Sequence, residues 1–161
     1  MAGQFAVVYK ATLNDNTNMA VRVFTSERPE MKSRYKAVSE YLKSIKPLNP
    51  LVRFEYFEKG VKAIDKVGRM KSYPLVTMEW VSGQELYAWV RDRCLSQEKK
   101  ALCDAAGNWF EMKQELSAAQ IAHGDLQHAN VMVTDSGAMK LVDYDCMCVP
   151  ALVGKPNLEI G

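Results

Sequence analysis

The chain has 161 residues, 48% of them hydrophobic, with 21 lysines and arginines against 19 aspartates and glutamates. That is enough apolar material for a domain with a real core, and the scattered charge gives no footprint for a nucleic-acid partner. No apolar run is long enough to span a bilayer and no basic-then-hydrophobic leader opens the chain, so no membrane partner is expected. Cys94, Cys103, Cys146 and Cys148 include one close pair with a single residue between its members, which suits reduced thiols of a cytoplasmic protein better than a zinc or redox CxxC site.

Strands come first. "GQFAVVYKATL" and "MAVRVFT" are rich in β-branched and aromatic residues around the turn-forming "NDNTN", which predicts a hairpin over residues 4–24. From Pro29 to Ile45 the period changes: Met31, Tyr35, Val38, Leu42 and Ile45 recur at helical steps and form one apolar stripe. "LVRFEYFEKG" and "YPLVTMEWV" are two further strands, joined by the polar "DKVGRMKS". A short helix over 84–92 and a longer one over 96–119 follow, with Gly107 a weak point in the second. "NVMVTDSGAMKLVDYD" reads as a small closing hairpin.

The order is a β-rich lobe with one helix, then a helical lobe, an α+β arrangement. "IAHGDLQHANVMV", residues 121–133, presents Asp125 and Asn130 before a strand, and the closing hairpin delivers Asp143. Taken singly these are ordinary turn residues. Together they are three oxygen-bearing side chains at the ends of one small sheet, a plausible hard-cation site.

"HGDLQHAN" resembles the catalytic loop of the protein-kinase-like superfamily, and "DYD", with Asp143 thirteen residues beyond Asn130, resembles its DFG element. The resemblance covers nearly the whole chain. It implies a two-lobe fold: an N-lobe and hinge over residues 1–81, and over 82–161 a helical C-lobe that is incomplete. It also implies Mg²⁺ and ATP as cofactors, with Asn130 and Asp143 as metal ligands and Asp125 as the base for an acceptor hydroxyl. "GQFAVVYKA" resembles the end of a glycine-rich nucleotide loop, which implies nucleotide contacts from Gly3, Phe5, Ala6 and Val8. "MAVR" brings Ala20 to the nucleotide and puts Arg22 where kinases carry the phosphate-holding lysine. "LVTMEWVSGQEL" resembles the hinge, with Met78 as gatekeeper and the backbone of Glu79, Trp80 and Val81 facing adenine.

Several positions depart from the pattern. Arg22 is cationic, but a planar fork is a poor replacement for a compact ammonium, so binding is expected to tolerate it better than turnover. Ala6 replaces the third loop glycine and Asp145 the last residue of DFG. Gly124 stands where protein kinases carry an arginine, as in aminoglycoside and choline phosphotransferases. Glu40 is at a suitable distance to pair with Arg22 but falls about half a turn from the apolar stripe. His123 reads as a structural histidine bonded to backbone, and His128 as a solvated loop residue.

Three functions follow as expectations. The first is transfer of the ATP γ-phosphate to a protein serine or threonine. The second is a small-molecule phosphotransferase, and the third a pseudokinase that binds or scaffolds without turnover. Kinase-like domains usually continue past this length, so the chain reads as a fragment or a minimal form, less stable and more prone to associate than a complete domain.

Overall fold

The computed structural model describes residues 6–25, 29–65 and 67–155. The described residues of Met1–Leu42 and Arg53–Trp80 form one compact unit, and those of Lys43–Val52 and Val81–Gly161 a second. The class is α+β.

The first unit holds strands β1 (Ala6–Thr12), β2 (Asn18–Phe24), β3 (Phe54–Ile64) and β4 (Met70–Glu79), and helix α1 (Pro29–Ser44). The strands form one antiparallel sheet in the order β1-β2-β4-β3. Residues directly opposite across an antiparallel ladder point to the same face. Val8 lies opposite Arg22, Arg22 opposite Val76, Ala20 opposite Met78, and Val76 and Met78 opposite Tyr56 and Phe54. All of these share one face with Ala6 and Phe24.

Helix α1 packs on that face through its predicted stripe. Tyr35 and Val38 are fully buried, and the Tyr35 ring lies 5.1 Å from Phe24, 6.1 Å from Tyr56 and 6.3 Å from Phe54. Offset aromatic contacts of this kind add to the gain from area burial. The Tyr56 N–H donates to Ser39 Oγ at 3.2 Å and ties the helix to the sheet.

The polar stretch expected as a connection between β3 and β4 is strand at its end, because β4 begins at Met70. Ile64 pairs with Met70, leaving only residues 65–69 as the turn. Asp65 is the reason, because its Oδ1 accepts from the N–H groups of Val67 and Arg69, both at 2.9 Å. A side chain that satisfies the turn's donors closes a hairpin without apolar residues.

The second unit holds β5 (Gln84–Glu85), α2 (Leu86–Leu95), α3 (Lys99–Ala118), β6 (Val131–Val133) and β7 (Met139–Leu141), with single 3₁₀ turns at His128–Asn130 and Pro150–Leu152. β5, β6 and β7 form a small antiparallel sheet. The two-residue β5 is too short to show alternation and is not read from the sequence. Helix α3 begins three residues later than expected because Gln97 adopts a positive φ of 56°, which separates it from α2. It runs unbroken through Gly107. Burial of Ala105, Met112 and Leu116 on one face outweighs the roughly 1 kcal/mol that a helical glycine costs.

The segment before β3 belongs to this second unit for visible reasons. The Asn49 N–H donates to Glu115 Oε2 at 3.0 Å, the Leu141 N–H donates to Pro50 O at 2.7 Å, and Lys140 Nζ donates to Asn49 O. Val131, Val133, Leu141, Tyr144, Met147, Val149 and Leu152 fill the core beneath.

Candidate functional site

The thirteen-residue interval between Asn130 and Asp143 has a geometric origin. β6 and β7 pair Val131 with Leu141, and the ladder continues one step further, the Val142 N–H donating to Asn130 O at 3.0 Å. Asn130 therefore precedes one strand at the level where the other strand ends, and Asp143 follows immediately. Asp143 has a φ of 62°, in the left-handed region that aspartate tolerates better than most side chains and that recurs at functional sites.

Asn130 is buried, and its amide nitrogen is committed. Nδ2 donates to Asp125 O at 2.9 Å and to Asp125 Oδ2 at 2.8 Å. Asp125 Oδ2 also accepts from Gln127 Nε2 at 2.9 Å. No hydrogen bond among the described residues takes Asn130 Oδ1 or Asp125 Oδ1, so each side chain keeps one oxygen in reserve. Asn130 Oδ1 and the Asp143 carboxylate could hold a hard cation that completes its shell with phosphate oxygens and water. The role of Gln127 is missed by sequence reasoning, because a glutamine two residues from an aspartate carries no pattern of its own.

His123 supports this loop from beneath. It is 3% exposed, and its Nε2–H donates to Val142 O at 2.9 Å, which places a proton on Nε2. Burial holds its pKa below the usual value; backbone groups of Val142 and Asp125 oppose that without cancelling it. Nδ1 has no partner of good hydrogen-bond geometry, so the Asp125 backbone acts on it by proximity alone. The His123 and Tyr144 rings meet edge to face at 6.0 Å.

Tyr144, the middle residue of "DYD", does more than fill space. Its hydroxyl accepts from the buried Val52 N–H at 2.9 Å and donates to Leu141 O at 3.1 Å. Gly124 has a φ of 81°, and a Cβ there would stand 2.2 Å from Cys146 O. The glycine in "HGD" is thus required twice, by backbone conformation and by the close passage of the Cys146 main chain. Ala122 and Cys148 lock that passage with reciprocal N–H···O bonds of 3.0 and 2.7 Å.

In the first unit, Ala6, Val8, Ala20, Arg22 and Met78 are brought to one face of the sheet, as the register above requires. The Glu79 and Trp80 N–H groups are occupied, donating to Arg53 O at 2.9 Å and Asn18 O at 3.0 Å. Val81, in the second unit, donates no hydrogen bond to the described residues. Gly3 and Phe5 lie outside the described residues.

Glu40 needs correction as a partner for Arg22. Its side chain is 68% exposed and its ion pair, at 3.9 Å, is with Lys36 one turn away on α1. The buried face of the helix is Arg34, Tyr35, Val38 and Ser39, so the half-turn offset seen in the sequence decides the matter.

A four-stranded antiparallel sheet with one packed helix, and a helical unit carrying an Asp125–Asn130–Asp143 constellation, define a kinase-type domain. Residues 2–151 match the protein kinase domain, and the chain belongs to that family. Over 147 residues it is 25% identical to tyrosine-protein kinase Fer of Homo sapiens, a match that takes in 88% of this chain and 16% of that protein. The chain therefore spans well under a quarter of the length of that relative.

Proposed function

We propose that this chain binds ATP with Mg²⁺ and passes the γ-phosphoryl group to a serine or threonine hydroxyl of a protein. The observation that carries this reading is the hydrogen-bonded Asp125–Asn130 pair, which leaves one oxygen of each side chain available, with Asp143 one residue past the backbone partner of Asn130. Phosphoryl transfer asks a protein for positioning and charge compensation more than for covalent chemistry.

Each residue then has a task suited to its surroundings. Asn130 and Asp143 hold Mg²⁺, which when bound neutralises charge on the phosphates. Asp125, with Oδ2 held by Asn130 and Gln127, turns Oδ1 to the acceptor hydroxyl, orients it and takes its proton. Arg22 holds phosphate oxygens. Ala6, Val8, Ala20 and Met78 offer an apolar surface to the adenine. Of the linker residues Glu79, Trp80 and Val81, Val81 is the one with an N–H to spare for the adenine edge.

Calorimetric titration of ATP with and without Mg²⁺, with Asp143→Ala as control, tests the nucleotide site. Magnesium-dependent binding that the variant loses is the expected result, and no binding to folded protein sinks the reading. Acceptor assays should include tyrosine peptides, given the name of the relative, and small hydroxylated substrates, given "HGD".

One observation favours a second reading, a nucleotide-binding scaffold with little turnover. Glu40 is engaged by Lys36 and turned to solvent, so it does not orient Arg22. If Arg22→Lys raises phosphotransfer substantially, the protein is a weakened catalyst. Binding without transfer in either form favours the scaffold.

A further inference from the structure

The β3–β4 hairpin extends well past the sheet that contains it. β4 pairs with β2 only over Leu75–Glu79, whereas its pairing with β3 continues out to Met70 and Ile64. Val61–Ile64 and Met70–Tyr73 therefore form a two-stranded ribbon with no third strand among the described residues. At its end Ile64, Val67 and Met70 are 68%, 69% and 66% exposed.

These apolar side chains are not needed to build the turn. Asp65 makes the turn by accepting the Val67 and Arg69 N–H groups. The opposed Ile64 and Met70 could be read as a cross-strand pair that stiffens the ribbon. Val67 sits within the turn itself, and that reading does not explain it. Exposed Lys62, Arg69 and Lys71 flank the tip, with Asp65 the one carboxylate among the described residues of 60–72, already bonded to Arg69.

We propose that this tip docks on a lipid surface bearing anionic headgroups, with Ile64, Val67 and Met70 entering the headgroup boundary and the flanking cations meeting the phosphates. The charge favours lipid over protein: Lys62 and Lys71 fall on opposite faces of the ribbon, so cations collar the apolar end from both sides, which suits a layer of anionic headgroups better than one flat patch. No helix among the described residues is long and apolar enough to cross a membrane, but that observation bears on spanning, not on a hairpin that wets its tip. The inference does not depend on nucleotide binding and is tested separately from it.

The experiment is co-sedimentation of the whole chain with vesicles of phosphatidylcholine alone and of phosphatidylcholine with about one-third phosphatidylserine. A Val67→Trp variant reports insertion by the fluorescence of the introduced indole. The proposal expects binding to the anionic vesicles only, a blue shift of that variant's emission relative to the parent chain, and an affinity about tenfold lower in the double variant Val67→Ser/Met70→Ser. Both positions are exposed, and thermal melts confirm that the variants fold. No sedimentation with anionic vesicles overturns the proposal, as does equal binding by the double variant, which would mean charge attraction alone. Self-association or binding to soluble polyglutamate that the double variant loses, without vesicle binding, also overturns it and assigns the tip to protein contacts.

Discussion

Gly124 and Gly137 share a φ of 81° but differ in surroundings, so alanine at each separates two costs. Nothing stands within 4 Å of a Cβ at Gly137, so Gly137→Ala should cost only the left-handed backbone, about 1 kcal/mol. At Gly124 the same Cβ would stand 2.2 Å from Cys146 O, 2.8 Å from Cys146 C and 2.9 Å from Cys146 Cβ. These are mostly main-chain atoms held by the Ala122–Cys148 bridge, so relief means opening at least one of its two hydrogen bonds. That adds roughly 1–3 kcal/mol, for a total near 3 kcal/mol. Urea unfolding followed by circular dichroism measures both, and Gly124→Ala should melt at clearly lower denaturant with an unchanged m-value. Equal midpoints for the two variants would refute the argument that the "HGD" glycine is demanded by Cys146.

Two tyrosines provide a similar contrast. Tyr144→Phe leaves the buried Val52 N–H without its acceptor and should cost about 1–3 kcal/mol, whereas Tyr56→Phe removes a buried hydroxyl that has no partner among the described residues and should be neutral or stabilising by thermal melt. Because the folded pKa of His123 lies below its ordinary 6.5, the unfolded chain takes the proton first. The His123 contribution to stability is therefore complete above about pH 6.5 and declines as pH falls from there to the lowered folded value, and His123→Asn should flatten the stability–pH curve in that window. Asn130→Asp replaces two donated hydrogen bonds with a carboxylate facing that of Asp125. It should destabilise at neutral pH and recover partly as pH falls and one carboxylate of the pair takes up a proton; a pH-independent deficit would show that packing, not charge, is at fault.

What the sequence determined by itself is local. Turn chemistry and β-branched runs mark the first hairpin, helical spacing marks α1 and its buried Tyr35 and Val38, and the motif order marks the kinase family. The stripe even carried the objection to Glu40, since a helix rotates each residue by a known angle. Tertiary structure decided what depends on chain segments distant in sequence. Gly124 answers to Cys146, the Tyr144 hydroxyl to Val52, and β5 exists only because β6 is there to pair with it. The thirteen residues between Asn130 and Asp143 are legible as a count, but the reason for the count is a hairpin register. Pattern reports the period of a chain against itself, whereas contacts between remote segments depend on shape, and shape exists only after folding.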